Sequence, residues 1–280
     1  MFVYKDNIDD AMLCEYLFAL KVLDTDKVGE SYNMNHIRSK LSKSIRADKA
    51  SMNYGLTGLG ALFKESIAAL ANKEMKTGDK FSIREYRSAY TDTFNTEERF
   101  KDLLNPKTNI DHIKKLNKIF GIFSDSIFIG YNVPVDIPIS KTNVVYRDFI
   151  DFLLVKPNMG DDGVNFEDTL VIVEIDDLSS DVFGINKYKY FPHYKMPYSH
   201  IAASMDKDVE VYIIDPENMK MLHFGFKPSL IKYHYDELKN LLVPFASKTL
   251  IRNLHHCSQC EKRDICKTIL SKEELNSINL

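Results

Sequence analysis

Three cysteines close to the carboxyl end constrain the fold of this 280-residue chain more than any other feature. They form a C-x2-C-x5-C pattern at Cys257, Cys260 and Cys266. This spacing lets three thiolates ligate one metal centre, and the candidates for a fourth ligand are Cys14, His255 and His256. A histidine ligand predicts zinc, whereas Cys14 is compatible with zinc or with an iron-sulfur cluster. We therefore expect a metal centre here in preference to idle buried thiols.

The charge composition bounds the partners of the chain. Its 37 Lys and Arg side chains against 40 Asp and Glu give a formal net charge of −3. This excludes the overall basic character by which many nucleic-acid-binding proteins are recognised. Residues 34–50 form a local basic patch, whose cations are Arg38, Lys40, Lys43, Arg46 and Lys49. We predict that any contact with DNA uses this patch.

Hydropathy and the amino-terminal residues predict an intracellular protein with no membrane partner. No apolar run reaches the roughly 18 to 20 residues that a membrane-spanning helix needs. Two acidic residues, Asp9 and Asp10, occupy positions at which a signal peptide would continue with apolar residues. In a chain without a secretion signal, cysteines indicate metal or catalytic use before disulfides.

Hydrophobic periodicity predicts several helices followed by a sheet, which is a mixed α/β organisation. The predicted helices cover residues 11–23, 59–71, 83–104, 111–120, 197–205 and 229–247. The predicted strands cover residues 127–139, 144–156, 170–176, 209–215 and 221–226. We accordingly divide the chain into a helical region at 1–125, an α/β core at 126–245 and a cysteine segment at 246–280.

Acidic side chains within the apolar strands are the second candidate for chemistry. Successive residues of a strand point to opposite faces, so Glu174 and Asp176 share one face, whereas Asp148 and Asp151 lie on opposite faces. Acids inside apolar strands are costly unless they are paired or bound to a cation. A divalent ion such as Mg²⁺ or Mn²⁺, held by one or two of these carboxylates plus phosphate oxygens, would explain them, with Asp176 as a candidate extra ligand. Only one of Asp148 and Asp151 can join Glu174 at such a site. The alternative is that these strand ends reach solvent and carry ordinary surface charge.

Taken in order along the chain, these features resemble the iron-sulfur branch of the PD-(D/E)XK nucleases. That branch includes the RecB and AddB nuclease domains, the CRISPR-associated RecB-like exonucleases and exonuclease V. The segment that begins at Cys14 is similar to the family's Cys-Pro-x-x-Phe opening, with Glu15 where proline is usual. The strand with Asp151 is similar to the one that ends in the first metal-binding Asp, and residues 170–176 resemble the strand of the (D/E)-x-K motif.

The resemblance implies a restriction-endonuclease-like mixed β-sheet with an N-terminal helical arm and a C-terminal iron-sulfur segment. It also implies a 4Fe-4S cluster that joins the two chain ends, with the ligands Cys14, Cys257, Cys260 and Cys266. In such a fold, Asp151 and Glu174 would hold Mg²⁺ or Mn²⁺ for DNA cleavage.

Three departures from the family pattern bear on catalysis. Asp176 stands where the family has a catalytic lysine, and a carboxylate cannot supply that cationic donor. The position of the metal-binding histidine is taken by Phe63 or Lys64, and the glutamine-tyrosine motif keeps only Tyr198. Lys195 is a candidate for a migrated catalytic lysine, although a solvated surface lysine is the simpler interpretation.

We therefore expect a nuclease-like protein whose catalysis has decayed. Its role would be that of a DNA-associated or structural subunit of a nucleic-acid-processing or viral assembly, with protein partners, inside a cell or a virion. The alternative is an active metal-dependent DNA exonuclease or endonuclease that uses Asp151 and Glu174. A third interpretation, a zinc protein unrelated to nucleases, needs a histidine ligand and leaves the strand acids unexplained.

Overall fold

The computed structural model of the chain describes residues 2–5, 8–9, 12, 58–97, 100, 106–142, 144–159, 165–176, 178 and 186–242. The four cysteines, the basic patch and most of the predicted helix at 11–23 lie outside these residues. The chain divides into two compact units. The first comprises Met1–Ala50, Asp136–Asp148 and Tyr235–Leu280, and the second comprises Ser51–Val135 and Phe149–His234.

Six helices and six strands make up the described part of the chain. The helices are α1 (Gly58–Thr77), α2 (Ile83–Thr96), α3 (Pro106–Ser124), α4 (Asn186–Tyr190), α5 (Pro192–Met205) and α6 (Ile231–Leu241). The strands are β1 (Phe2–Tyr4), β2 (Ile127–Pro138), β3 (Val145–Met159), β4 (Asn165–Ile175), β5 (Val209–Asp215) and β6 (Lys220–Phe226). Within these described ranges, no helix has the length and apolar character needed to cross a membrane.

The strands form one mixed sheet in the order β1-β3-β4-β5-β6, with β2 also paired to β3. β3 runs antiparallel to β4, β4 runs parallel to β5, and β5 runs antiparallel to β6. The apolar run from Leu170 to Val173 in β4 is buried, as expected of a strand that has a neighbour on each edge. The predicted mixed α/β class is therefore confirmed.

Two local signals in the sequence explain where the first helices end and begin. Gly78 follows α1 with a φ of +76°, a left-handed conformation that glycine adopts without a steric penalty, and its N–H donates to the Glu74 carbonyl at 2.7 Å. At the start of α2 the Ser82 N–H donates to Glu85 Oε2 at 2.8 Å, which satisfies an amide that the helix itself leaves unpaired.

Several predicted helix boundaries are wrong. The helix predicted at 83–104 ends at Thr96, because Glu97 is extended with φ −88° and ψ 111°. The stop predicted at Gly121 is absent, since α3 continues to Ser124. The helix predicted to begin at Pro197 begins at Pro192, whose missing N–H is tolerated in the first turn, and Pro197 lies inside α5.

An aromatic cluster forms the core of the second unit and fixes the position of α1 in it. The ring of Phe63 stacks on Phe120 of α3 at a centroid distance of 5.7 Å, and Tyr86 of α2 stacks on the same ring at 6.1 Å. Phe123 meets Phe152 of β3 edge-on at 5.5 Å. These contacts lock the face of α1 that carries Phe63 and therefore also position the next residue, Lys64.

A buried carboxyl connects α1 to β2 within the same unit. The Phe128 N–H donates to Glu74 Oε1 at 3.0 Å, and Glu74 is only 4% exposed. Removal from water raises the pKa of this carboxyl above its ordinary value of 4.5, against the opposing effects of the Phe128 amide and Lys80. Folded protein therefore binds this proton more tightly than unfolded chain, so the contribution of Glu74 to stability falls as pH rises through its folded pKa.

Glu74→Gln should remove the fall in folding stability that Glu74 causes as pH rises. The glutamine oxygen still accepts a hydrogen bond from the Phe128 N–H, and the side chain carries no charge at any pH. We expect the variant to lose less stability than wild type between about pH 4.5 and neutral pH, as measured by urea unfolding across that range. Glu85→Gln is the matched control, since hydrogen bonds from Ser82 lower the pKa of Glu85 and its stabilisation is lost as pH falls. Identical pH profiles for wild type and Glu74→Gln would contradict this prediction.

The first unit is organised by β1 and the chain segments around residues 136–148. β1 pairs in parallel with the start of β3, with Val3 opposite Tyr146. Arg147 makes a paired contact with Asp136, at 2.5 Å for each of two hydrogen bonds. The Tyr235 hydroxyl accepts the Ser140 N–H at 2.7 Å. β1 has only three residues, too few for its pattern to be detected by periodicity.

Candidate functional site

The two central strands bring Asp151 and Glu174 together in the second unit. In the antiparallel pairing of β3 and β4, Phe152 lies opposite Val173, so Asp151 and Glu174 flank that pair on neighbouring strands. The Ile175 N–H donates to Asp151 Oδ2 at 2.8 Å, and the Asp151 N–H donates to Glu174 Oε2 over a longer 3.4 Å. Each carboxylate therefore accepts a hydrogen bond from a backbone N–H at the point where the two strands stop pairing with each other.

Both carboxylates are buried, each with a relative exposure of 6%. The interpretation of these two acids as solvated strand-end charges is therefore wrong. Burial of an ionised carboxylate without a counter-charge is strongly unfavourable, so the surroundings must supply positive charge or protons.

Lys64 supplies positive charge directly to Asp151. Its Nζ donates to Asp151 Oδ1 in a short, buried ion pair, and the lysine is only 5% exposed. The lysine comes from α1, whose neighbouring residues Leu62, Phe63 and Ile67 are completely buried. Helix α1 therefore inserts a cation among apolar side chains and places it on a carboxylate of the sheet.

Asp176 is neutralised by a second lysine. It follows β4 directly, and its Oδ2 accepts a hydrogen bond from the Tyr188 hydroxyl and lies 2.6 Å from Lys187 Nζ. The Lys187 ammonium also lies 5.3 Å from the ring centroids of Tyr188 and Tyr194, within range of cation–π attraction. Burial, together with the negative charges of Asp176 and Glu174, raises the pKa of the Tyr188 hydroxyl well above its usual value.

The exposure of these groups differs between the two ends of the site. The side chain of Lys187 is 5% exposed, whereas that of Asp176 is 28% exposed, so Asp176 is the acid that reaches solvent. The site therefore contains two ion pairs, Lys64 with Asp151 and Lys187 with Asp176, beside the buried Glu174.

Both carboxylate oxygens of Asp151 already contact groups of the protein. Asp151 Oδ1 accepts a hydrogen bond from the Lys64 ammonium, and Oδ2 accepts one from the Ile175 amide. Mg²⁺ binds carboxylate oxygens at about 2.0–2.1 Å, where it would lie against the ammonium and be repelled by it. Within the described residues, no three His, Cys, Asp or Glu side chains lie close enough together to hold a metal ion.

The remaining predicted site residues are distributed as follows. Asp148 contacts Lys5 at 3.3 Å, whereas Asp151 contacts Lys64, so the two acids of β3 have different partners, as their alternation predicts. Lys195 lies on α5 and is half-buried, and Tyr198 of the same helix is buried. The cysteine ligands, and the basic patch with them, lie outside the described residues.

Sequence reasoning identified the acids of this site and missed the cations that neutralise them. The sequence indicates Lys64 only as one of two residues at the position of the family's metal-binding histidine, and it gives no indication of Lys187. A signal for Lys64 does exist in the sequence, because it shares one helix face with Gly60, Ile67 and Ala71, none of which is polar. Lys187 lies in the five-residue helix α4, where no periodic pattern is available.

Comparisons with known proteins add no assignment. No family model matches the chain, and no curated protein matches it. The crystal structure of SSO0001 matches it at 11% sequence identity, covering 75% of this chain and 96% of that one, with a TM-score of 0.26. A structural similarity at this level carries no argument, so the functional interpretation rests on the residues of this chain.

Proposed function

We propose that this chain is an iron-sulfur protein with a RecB-like PD-(D/E)XK nuclease fold that has lost catalysis. It acts as a DNA-associated or structural subunit of a nucleic-acid-processing or viral assembly, within a cell or a virion. The ion pair between Lys64 and Asp151 is the observation that supports a loss of catalysis. It places a cation of the protein on a carboxylate that an active nuclease of this kind would offer to a metal ion.

The second ion pair supports the same conclusion. Asp176 stands where a catalytic lysine is expected, and the nearby Lys187 ammonium is paired with that carboxylate and with two tyrosine rings. A cation that neutralises a protein carboxylate has less charge to offer to a phosphodiester in its transition state. Both lysines therefore act as counter-charges for acids of the protein itself.

Nuclease assays on the full-length protein test the proposal. With Mg²⁺ or Mn²⁺, wild type should cleave single- and double-stranded DNA no faster than Asp151→Asn and Glu174→Gln variants do. Loss of one preorganised transition-state donor typically lowers a rate by about 10² to 10³, and here a lysine and a metal-binding histidine are both missing from their positions. Robust cleavage by wild type that either substitution abolishes would contradict the proposal and establish an active metal-dependent nuclease.

The same DNA samples also test association without cleavage. A gel-shift assay should detect retention of uncut DNA that weakens with salt, because the basic patch contacts phosphates. The variant Lys43→Ala/Arg46→Ala should weaken retention, whereas Lys227→Ala/Lys232→Ala removes the same charge from exposed positions and should not. Equal loss in both double variants would mean that retention depends only on net charge.

A further inference from the structure

We infer that Lys64 is a built-in replacement for a divalent cation: its ammonium closes an oxygen site formed by Asp151 and Glu174, and removal of the ammonium opens that site to Mn²⁺ or Mg²⁺. The inference deepens the proposed function and rests on it. It assigns Lys64 a specific role, the neutralisation of a buried carboxylate pair, that no metal ion then needs to perform.

The charge requirement of the site is the first argument. Asp151 and Glu174 are both buried on adjacent strands, and two like charges in such a place need a cation close by. The Lys64 ammonium meets this requirement at Asp151 Oδ1. A divalent ion would meet the same requirement with more charge, so the two cations compete for one place.

The anchoring of the carboxylates is the second argument. The Ile175 amide donates to Asp151 Oδ2, and the Asp151 amide approaches Glu174 Oε2, so backbone amides of the sheet help to orient both side chains. These contacts do not depend on α1. Truncation of Lys64 should therefore leave two oriented, hard oxygen donors beside the space that the lysine side chain had occupied, which suits Mn²⁺ or Mg²⁺ completed by water ligands.

The chemistry of Asp176 separates it from this pair. Its Oδ2 is held by Lys187 and Tyr188, neither of which is changed by substitution of Lys64. The predicted site therefore consists of Asp151 and Glu174, and loss of either carboxylate should abolish it.

Calorimetric titration of the full-length protein with Mn²⁺, together with loss of the free Mn²⁺ electron paramagnetic resonance signal, tests the inference. Lys64→Ala should bind one Mn²⁺ that Lys64→Ala/Asp151→Asn and Lys64→Ala/Glu174→Gln do not bind, and wild type should bind none at this site. Lys76→Ala, which removes an exposed lysine from the same helix, is the matched control and should behave as wild type. Mn²⁺ at about 100 times its dissociation constant should raise the Tm of Lys64→Ala by about 5 to 10 °C.

The outcomes separate the inference from the proposed function. If wild type cuts no DNA and Lys64→Ala binds no Mn²⁺, the proposed function stands and the inference is overturned. Mn²⁺ binding by wild type that Asp151→Asn abolishes also overturns it. If Lys64→Ala fails to fold alone, recovery of soluble variant in Mn²⁺ but not in buffer, with no such effect on Lys64→Ala/Asp151→Asn, supports the inference, and no recovery overturns it.

Discussion

Lys64→Met should lower the free energy of unfolding by about 3 to 5 kcal/mol, the cost of removing one partner from a buried ion pair. Methionine keeps most of the apolar stem of lysine and removes the ammonium, so the loss reports the charge more than the packing. The variant leaves Asp151 and Glu174 buried together without the cation that contacts Asp151. Urea unfolding at neutral pH measures the difference.

A double-mutant cycle shows whether the loss arises from the pair. Lys64→Met/Asp151→Asn removes both charges and keeps a side-chain oxygen for the Ile175 amide, so it should recover most of the stability that Lys64→Met loses. Lys76→Met, at an exposed position of α1, should change stability by less than about 0.5 kcal/mol. A Lys64→Met variant within about 1 kcal/mol of wild type would show that the ion pair does not balance a buried charge.

Replacement of any one of the four cysteines by serine should remove the proposed cluster and cause aggregation or a large fall in Tm. Metal binding of this kind contributes directly to folding, by about 10 to 16 kcal/mol in zinc-finger peptides. A link between Cys14 and residues 257–266 also closes a loop of nearly the whole chain. Anaerobically purified wild type should be brown, with iron and sulfide each near four per chain as in a 4Fe-4S cluster.

Histidine variants distinguish the iron-sulfur centre from zinc. His255→Ala and His256→Ala should keep the full iron content if Cys14 is the fourth ligand, whereas Cys14→Ser should lose it. Stoichiometric zinc without iron, or full metal content in Cys14→Ser, would refute the cluster. An unchanged melting curve in all four cysteine variants would show that the segment does not govern folding.

Most of the elements in the second unit were predictable because their signals are local. Alternation put Asp148 and Asp151 on opposite faces of β3, the family resemblance selected Asp151 as the partner of Glu174, and apolar spacing located α1 and β5. Element ends were less predictable, since apolar residues that continue past a helix mimic its period. Phe100 is buried although α2 ends at Thr96, so a buried apolar residue beyond a helix is no evidence that the helix continues.

The sequence by itself determined the mixed α/β class, the helices that precede β2, and the presence of acids within apolar strands. Only the tertiary structure decided what neutralises those acids. Lys64 and Asp151 are separated by 87 positions, and Lys187 reaches Asp176 from a helix too short to carry a periodic signal. Periodicity reports which face of an element is buried. The partner of a buried charge depends instead on how elements distant in the sequence pack together, and here that packing places the Lys64 ammonium on Asp151.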